Sequence, residues 1–254
     1  MTKLDQQGET THFGYQQVPT AEKARLVGAI FDAVAARYDV LNDVMSFGIH
    51  RWWRRFALNL SGVRPGDRVL DLAGGTGEFT ARLAPLVGPE GLVVLAEINR
   101  SMLRLGQERL AGSDVAGNVA LVQADAEHLP FGGDFFDCVT IAFGLRNVTD
   151  QDAVLRSVYG ALKPGGPLII LEFSHPIVWG FGPFYDFYSF HVLPVLGRVV
   201  AGNGGGYRYL AESIRVHPDQ ETLKRMMERA GFERCEYFNL SGGIVAVHRA
   251  FKAA

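Results

Sequence analysis

The residues best placed to do chemistry lie at the ends of short apolar runs. Arg68-Val69-Leu70-Asp71-Leu72-Ala73-Gly74-Gly75-Thr76-Gly77-Glu78 carries an apolar strand straight into a glycine-rich turn, with an acid at the junction. Three glycines within four positions strip the turn of Cβ atoms, so a ligand can lie against bare peptide. Asp71 could brace that turn or face a cationic part of a ligand. Glu97 closes the second run, twenty residues after Gly77. A carboxylate there can accept hydrogen bonds from two ribose hydroxyls at once. Asp125 closes the third run beside small Ala126. That pairing could accept from an adenine amino group and leave room for the ring. In this order, the turn and the two acids point to a nucleoside-bearing ligand at the strand ends of an open α/β sheet.

The same turn argues against two commoner ligands. A dinucleotide fingerprint needs G-x-G-x-x-G, whereas Gly75-Thr76-Gly77-Glu78-Phe79-Thr80 ends in threonine. A phosphate-binding Walker loop needs Gly-Lys-Ser/Thr, and Gly77 is followed by Glu78. The pattern that remains, D-x-A-G-G-T-G, resembles the S-adenosylmethionine (SAM) loop of class I methyltransferases.

The elements that must position these residues read as alternating strands and helices. Strands are expected over 68–72, 92–96, 119–123, 137–143 and 168–173, with helices over 79–86, 101–110 and from about 152 to 162. That alternation argues a parallel sheet covered on both faces. A helix near 219–229 and a terminal hairpin, about 233–238 and 243–249, complete a mostly parallel seven-stranded sheet. Thr149-x-x-Asp152 reads as a capping box with Asp in place of Glu. Before the sheet, residues 1–20 read as loose and polar, and apolar residues from Leu26 to Met45 recur at helical spacing. The expected organisation is an N-terminal helical cap over 1–60 and a binding domain over 61–254. An aromatic lid insertion at about 175–206 carries Trp179, Phe181, Phe184, Tyr185, Phe187, Tyr188 and Phe190.

With 254 residues, 48% of them hydrophobic, the chain can build one sizeable core, and a net charge of −2 gives no electrostatic case for nucleic acid. Cys138 and Cys235 lie far apart and form neither a disulfide framework nor a zinc spacing. The seven histidines form no metal-binding cluster, so no metal is expected. Met1 to Gln17 lacks the apolar core of a signal peptide, which suggests a cytoplasmic protein. His50-Arg51-Trp52-Trp53-Arg54-Arg55 mixes aromatics with cations and suits either a packed helix or peripheral contact with the inner face of the cytoplasmic membrane. No Ser–His or Cys–His signature argues for a covalent enzyme intermediate, so the nucleophile belongs to the substrate.

Longer motifs narrow the reading. Tyr38-Asp39-Val40-Leu41-Asn42-Asp43-Val44-Met45-Ser46-Phe47-Gly48-Ile49-His50-Arg51, Phe143-Gly144-Leu145-Arg146-Asn147-Val148-Thr149-Asp150 and Tyr209-Leu210-Ala211-Glu212-Ser213-Ile214 resemble the ubiquinone/menaquinone biosynthesis C-methyltransferases (UbiE/MenG). So do Leu162-Lys163-Pro164-Gly165-Gly166 and Gly242-Gly243-Ile244-Val245-Ala246-Val247-His248-Arg249. The resemblance runs from about residue 12 to near the C-terminus. It implies a Rossmann-like class I SAM-methyltransferase fold and SAM as cofactor. It also implies methylation of a ring carbon of a polyprenyl quinol, either 2-methoxy-6-polyprenyl-1,4-benzoquinol or demethylmenaquinol. Thr76, Glu97, Asp125 and Ala126 would bind SAM, and Asp71, Gly75, Gly77 and, through its backbone, Ala142 are expected at the same cofactor site. Ala142 stands where the family often has Ser, and Glu78 and Glu97 stand where Asp is common. Arg146 and Asn147 would act on the substrate, Arg146 stabilising phenolate charge and Asn147 orienting a hydroxyl or a water. The proton acceptor stays unassigned. Open alternatives are a methyltransferase for another phenolic or lipid substrate and a non-catalytic scaffold in a quinone-biosynthesis complex. A homo-oligomer is also left open.

Overall fold

Short apolar strands, each ending in a turn, assemble edge to edge so that the turns collect on one side of the sheet. The computed structural model describes residues 9–112, 116–178, 180, 191 and 205–254. In chain order these form β1 (Thr10–Phe13), β2 (Gln16–Pro19), α1 (Thr20–Val34), α2 (Tyr38–Ser46), α3 (His50–Ser61), β3 (Arg68–Leu72), α4 (Thr80–Val87), β4 (Leu92–Glu97), α5 (Arg100–Ala111), β5 (Val119–Gln123), β6 (Cys138–Ala142), α6 (Gln151–Ala161), β7 (Pro167–Phe173), α7 (Gly205–Val216), α8 (Gln220–Arg229), β8 (Phe232–Leu240) and β9 (Val245–Lys252). The aromatic residues expected in the lid, from Trp179 to Phe190, lie outside the described residues.

The seven-stranded sheet runs β5-β4-β3-β6-β7-β9-β8. Strands β3 to β7 are parallel, and β9 runs antiparallel between β7 and β8. Chain order reverses direction at β3, between β4 and β6, and such a switch point opens a crevice at the carboxyl ends of the strands. Residues alternate through β3 as a doubly covered strand requires. Leu70 and Leu72 join the core under α6 and α8, while Val69 joins Trp53, Leu83 and Val87 on the other face. Cys138 is buried in that second core.

Four expectations need correction. The region before residue 20 contains an ordered hairpin, with Phe13 paired to Gln16 across a turn in which Gly14 has φ +59°. The hairpin docks on α7: the Tyr15 N–H donates to Glu212 Oε2, and the Phe13 ring stacks 4.5 Å from Tyr209. The helical run after residue 20 is broken at 35–37 and stops at Phe47, which adopts φ +50°. The cap of α6 is Asp150 rather than Thr149: the Asp150 Oδ1 accepts from the Ala153 N–H, while Glu127 Oε1 accepts from the backbone N–H groups of both residues. Finally, α7 begins at Gly205, where no helix was anticipated.

In α3 the tryptophan pair separates, since consecutive helical residues point about 100° apart. Trp53 is buried and its indole N–H donates to Ser241, whereas Trp52 is half exposed. Arg54 is also buried, with its guanidinium 3.0 Å from Glu78. The expected aromatic–cationic surface is therefore reduced to Trp52, Arg51 and Arg55, joined by exposed Val40, Phe47 and Ile49. Among the described residues no helix is long and apolar enough to cross a membrane.

Candidate functional site

At the switch point two cavities meet. The larger, about 480 Å³, is lined by Gly75, Glu97, Asp125, Ala126, Ala142 and Asn147 among others. The smaller, about 120 Å³, is mostly apolar and takes Arg146, Asn147, His50 and Arg54 into its wall. Tyr38, Phe31, Phe143 and Asn147 line both.

The glycine turn is held by acids on either side. Asp71 is completely buried and accepts from the hydroxyls of Thr80 (2.6 Å) and Thr140 (3.0 Å). Burial pushes its carboxyl up to about 6 against the pull of those hydroxyls. It braces the turn from beneath and does not reach the cavity wall. Gly74 sits so close that an added Cβ would lie 2.5 Å from Leu95 Cδ1. Gly77 packs the turn against α5, near Leu110 and Gly106. Thr76 is buried and donates to Asp39 Oδ1 at 3.2 Å, away from the cavity. Asp39 also pairs with Arg109, so α2 is clasped to both the turn and α5.

Glu97 faces the large cavity. Its Oε2 accepts from the Gly75 N–H at 3.0 Å and its Oε1 from the Asn99 N–H at 2.9 Å. Each oxygen keeps a second lone pair, so a buried carboxylate offers two unused acceptor positions to the cavity. Burial raises its carboxyl above the usual range, opposed by those backbone donors. Asp125 is more open, with one oxygen accepting from the Glu127 N–H. This set fits a nucleoside: a diol-matching acid, an open acid beside a small residue, and a loop with no Cβ at Gly75. SAM would be held by Gly75, Glu97, Asp125, Ala126 and Ala142.

The opposite wall follows β6. Phe143 adopts φ +60° directly after that strand, as Ala73 does (φ +54°) directly after β3. Gly144 lets the two turns interlock, since a Cβ there would meet Ala73 Cβ at 2.5 Å. Non-glycine residues in this region carry strain, and both line the large cavity. Arg146 and Asn147 follow. The Arg146 guanidinium is buried, donating from Nη1 to Glu172 Oε1 and to the Phe143 carbonyl, both at 2.6 Å. Its Nε has no hydrogen-bond partner in the structure. Asn147 Oδ1 accepts from the Tyr209 hydroxyl at 3.2 Å, and burial pushes that phenol up to about 12.

The fold therefore brings Gly75, Glu97, Asp125, Ala126, Ala142 and Asn147 to one cavity, with Arg146 in the adjoining one. It sets Asp71, Thr76 and Gly77 behind the wall. His50, Arg54, Tyr38 and Tyr209 also line the site and were missed as functional residues. The sequence signal for Tyr38, His50 and Tyr209 was membership of the long motifs, and for Arg54 only its place in the aromatic–cationic run 50–55.

The model of the ubiE/COQ5 methyltransferase family matches residues 18–252. The chain belongs to that family. It is a SAM-dependent methyltransferase. It is 59% identical over 249 residues to the ubiquinone/menaquinone biosynthesis C-methyltransferase UbiE of Enterobacter sp. (strain 638), covering 98% of this chain and 99% of that one. The UbiE of Escherichia coli (strain K12 / DH10B) is equally similar, with the same coverage. Among solved structures, a SAM-dependent methyltransferase from Aquifex aeolicus superposes with a TM-score of 0.59 at 16% identity, covering 79% of this chain and 89% of that one. That likeness establishes the class I methyltransferase fold.

Proposed function

We propose that this chain methylates a ring carbon of a polyprenyl quinol, either 2-methoxy-6-polyprenyl-1,4-benzoquinol or demethylmenaquinol, in ubiquinone/menaquinone biosynthesis. The observation that carries the reading is the pair of adjoining cavities, one lined by the glycine turn and the acids Glu97 and Asp125, one apolar with a few buried cations, sharing Tyr38, Phe143 and Asn147. SAM, once bound, supplies an electrophilic methyl group on a sulfonium. The chain's own task is then alignment, and fixing two reactants can supply ~7–11 kcal/mol of a barrier. In this reading the Gly75 backbone and Glu97 fix the donor, and Phe143 and Tyr38 form the common wall. Asn147, tied to Tyr209, orients the ring hydroxyl. Arg146 contributes positive potential beside the ring where phenolate charge grows, and Glu172 holds it there.

The ring must be reduced, because a quinone is too electron-poor to attack a methyl group. Anaerobic incubation with a demethylated quinol and trideuteromethyl SAM is expected to give a product labelled at a ring carbon. The oxidised quinone should give none. Label on oxygen would replace this reading with a phenolic O-methyltransferase.

A polyprenyl substrate partitions into lipid, and the exposed residues of α2 and α3 suit an encounter there. The inner faces of these helices supply Met45, Ser46, His50 and Trp53 to the small cavity. Their outer faces expose Val40, Ile49 and Trp52 beside Arg51 and Arg55. An aromatic among cations favours an anionic bilayer surface. Trp52→Glu is expected to lower co-sedimentation with anionic vesicles, and an unchanged bound fraction would reject the membrane contact.

A further inference from the structure

The reaction needs a group to take the quinol hydroxyl proton, and asparagine and arginine are unsuited to that task near neutral pH. Among the described residues, one imidazole lines the small cavity. His50 opens α3, is 5% exposed and lies in the cavity wall with Arg54, one turn further along the same helix. Its Nδ1 is 2.7 Å from Ser46 Oγ. The Ser46 hydroxyl donates its single hydrogen to the Asn42 carbonyl at 2.7 Å, so toward His50 it can only accept. That contact matches the tautomer with the ring hydrogen on Nδ1, which leaves the lone pair of the neutral imidazole on Nε2.

The charged groups around this ring keep it neutral yet able to take a proton. From α2 comes Asp43 at 3.6 Å from Nε2, and from the glycine turn comes Glu78 at 3.8 Å. Each carboxylate is already engaged by arginine. Arg51 bonds Asp43 at 2.6 Å, and Arg54 and Arg82 lie 3.0 and 3.4 Å from Glu78. Burial and the Arg54 charge hold the imidazole below its ordinary value of 6.5, outweighing the two acids. At neutral pH the ring is a free base, and the nearby carboxylates stabilise the imidazolium when it forms.

We propose that His50 is the proton acceptor for the quinol hydroxyl, oriented by Ser46 and flanked by Arg54. This rests on the quinol reading above. As the O–H proton passes to Nε2, the electron pair left on oxygen moves through the ring to its ortho carbon. That carbon bonds to the methyl carbon while the methyl–sulfur bond breaks, its electrons remaining on sulfur. The ring C–H proton then leaves to water, which restores aromaticity, and the imidazolium returns its proton to the oxygen. One proton is released overall.

The test uses the purified full chain with reduced quinol and SAM. His50→Gln is expected to lower kcat about 100-fold while leaving SAM affinity within about twofold of the wild type. The wild-type kcat/KM should fall as pH drops through the imidazole range, and that acidic limb should vanish in the variant. A ring-fluorinated quinol, whose hydroxyl is more acidic than the parent's, should recover part of the variant's loss relative to the wild type. A structural role would reduce both substrates equally and so overturns the proposal, as does a kcat within threefold of the wild type. If His50→Gln does not fold, the wild-type profile decides. An acidic limb that disappears with the fluorinated substrate supports the assignment, and one that persists unchanged, or is absent with both substrates, overturns it. Wild-type protein that leaves every quinol unmethylated overturns the quinol reading and this proposal together, a result distinct from the loss of His50 alone.

Discussion

Replacing Glu97 with alanine is expected to weaken SAM binding about 100- to 1,000-fold, measured by titration calorimetry. The carboxylate is 9% exposed and already accepts from the Gly75 and Asn99 N–H groups. Its remaining lone pairs are the acceptors available to a ribose diol. Hydrogen bonds to a charged group are each worth ~1.5–3 kcal/mol, so losing two to the ligand costs ~3–6 kcal/mol, and the lower part of that range corresponds to the expected loss. The truncation also leaves two backbone donors without partners, which loosens the glycine turn before any ligand arrives. Glu97→Gln should fall between the two proteins. One end of the amide would face a backbone N–H with a donor of its own, while the other end keeps its acceptor. A loss below fivefold in the alanine variant would remove Glu97 from the donor site.

The second large effect concerns stability. Glu172 on β7 is 2% exposed. Its Oε1 accepts from Arg146 Nη1 at 2.6 Å and its Oε2 from the Arg146 backbone N–H at 3.2 Å. Removing one partner of a buried ion pair leaves a charge without compensation, at a cost of ~3–5 kcal/mol. Glu172→Ala is expected to lower the unfolding free energy by about that amount in urea titrations. The double variant with Arg146→Ala should lose much less than the two single losses added together, because the orphaned guanidinium is gone. A single-variant loss under about 1 kcal/mol would mean that Arg146 finds another partner or reaches water. The pair also explains how a cation can persist beside an apolar cavity. Glu172 holds it in place, and the Phe143 carbonyl shares its donors.

The strand-end residues were legible because parallel pairing leaves little freedom. Leu72 lies opposite Ala96, and Glu97 opposite Gln123. Once the runs are read as successive parallel strands, the turn after β3, Glu97 and Asp125 must share one edge. Small errors arose where two readings differ by one residue. Thr149 and Asp150 are both good helix caps, and only the structure shows that the Ala153 N–H donates to Asp150 Oδ1. The arginines and tryptophans of α3 looked alike in sequence. Their roles separated only when the helix was set against β7 and the glycine turn.

By itself the sequence determined the α/β order, the crevice edge and its acids, since periodicity and turn chemistry are local properties. Its long motifs determined the family. The tertiary structure decided which of those residues face a ligand and which hold the wall. Asp71 and Thr76 turn away to hydroxyl and carboxylate partners, a choice made by α4, β6 and α2. It also decided the cluster of His50, Arg54 and Glu78. Glu78 belongs to the turn after β3, and the other two belong to a helix that precedes that strand. No spacing in the chain records that approach. It follows from the burial of Trp53 and Ala57 against the sheet, which fixes the rotation of α3 and turns His50 and Arg54 toward the cavity.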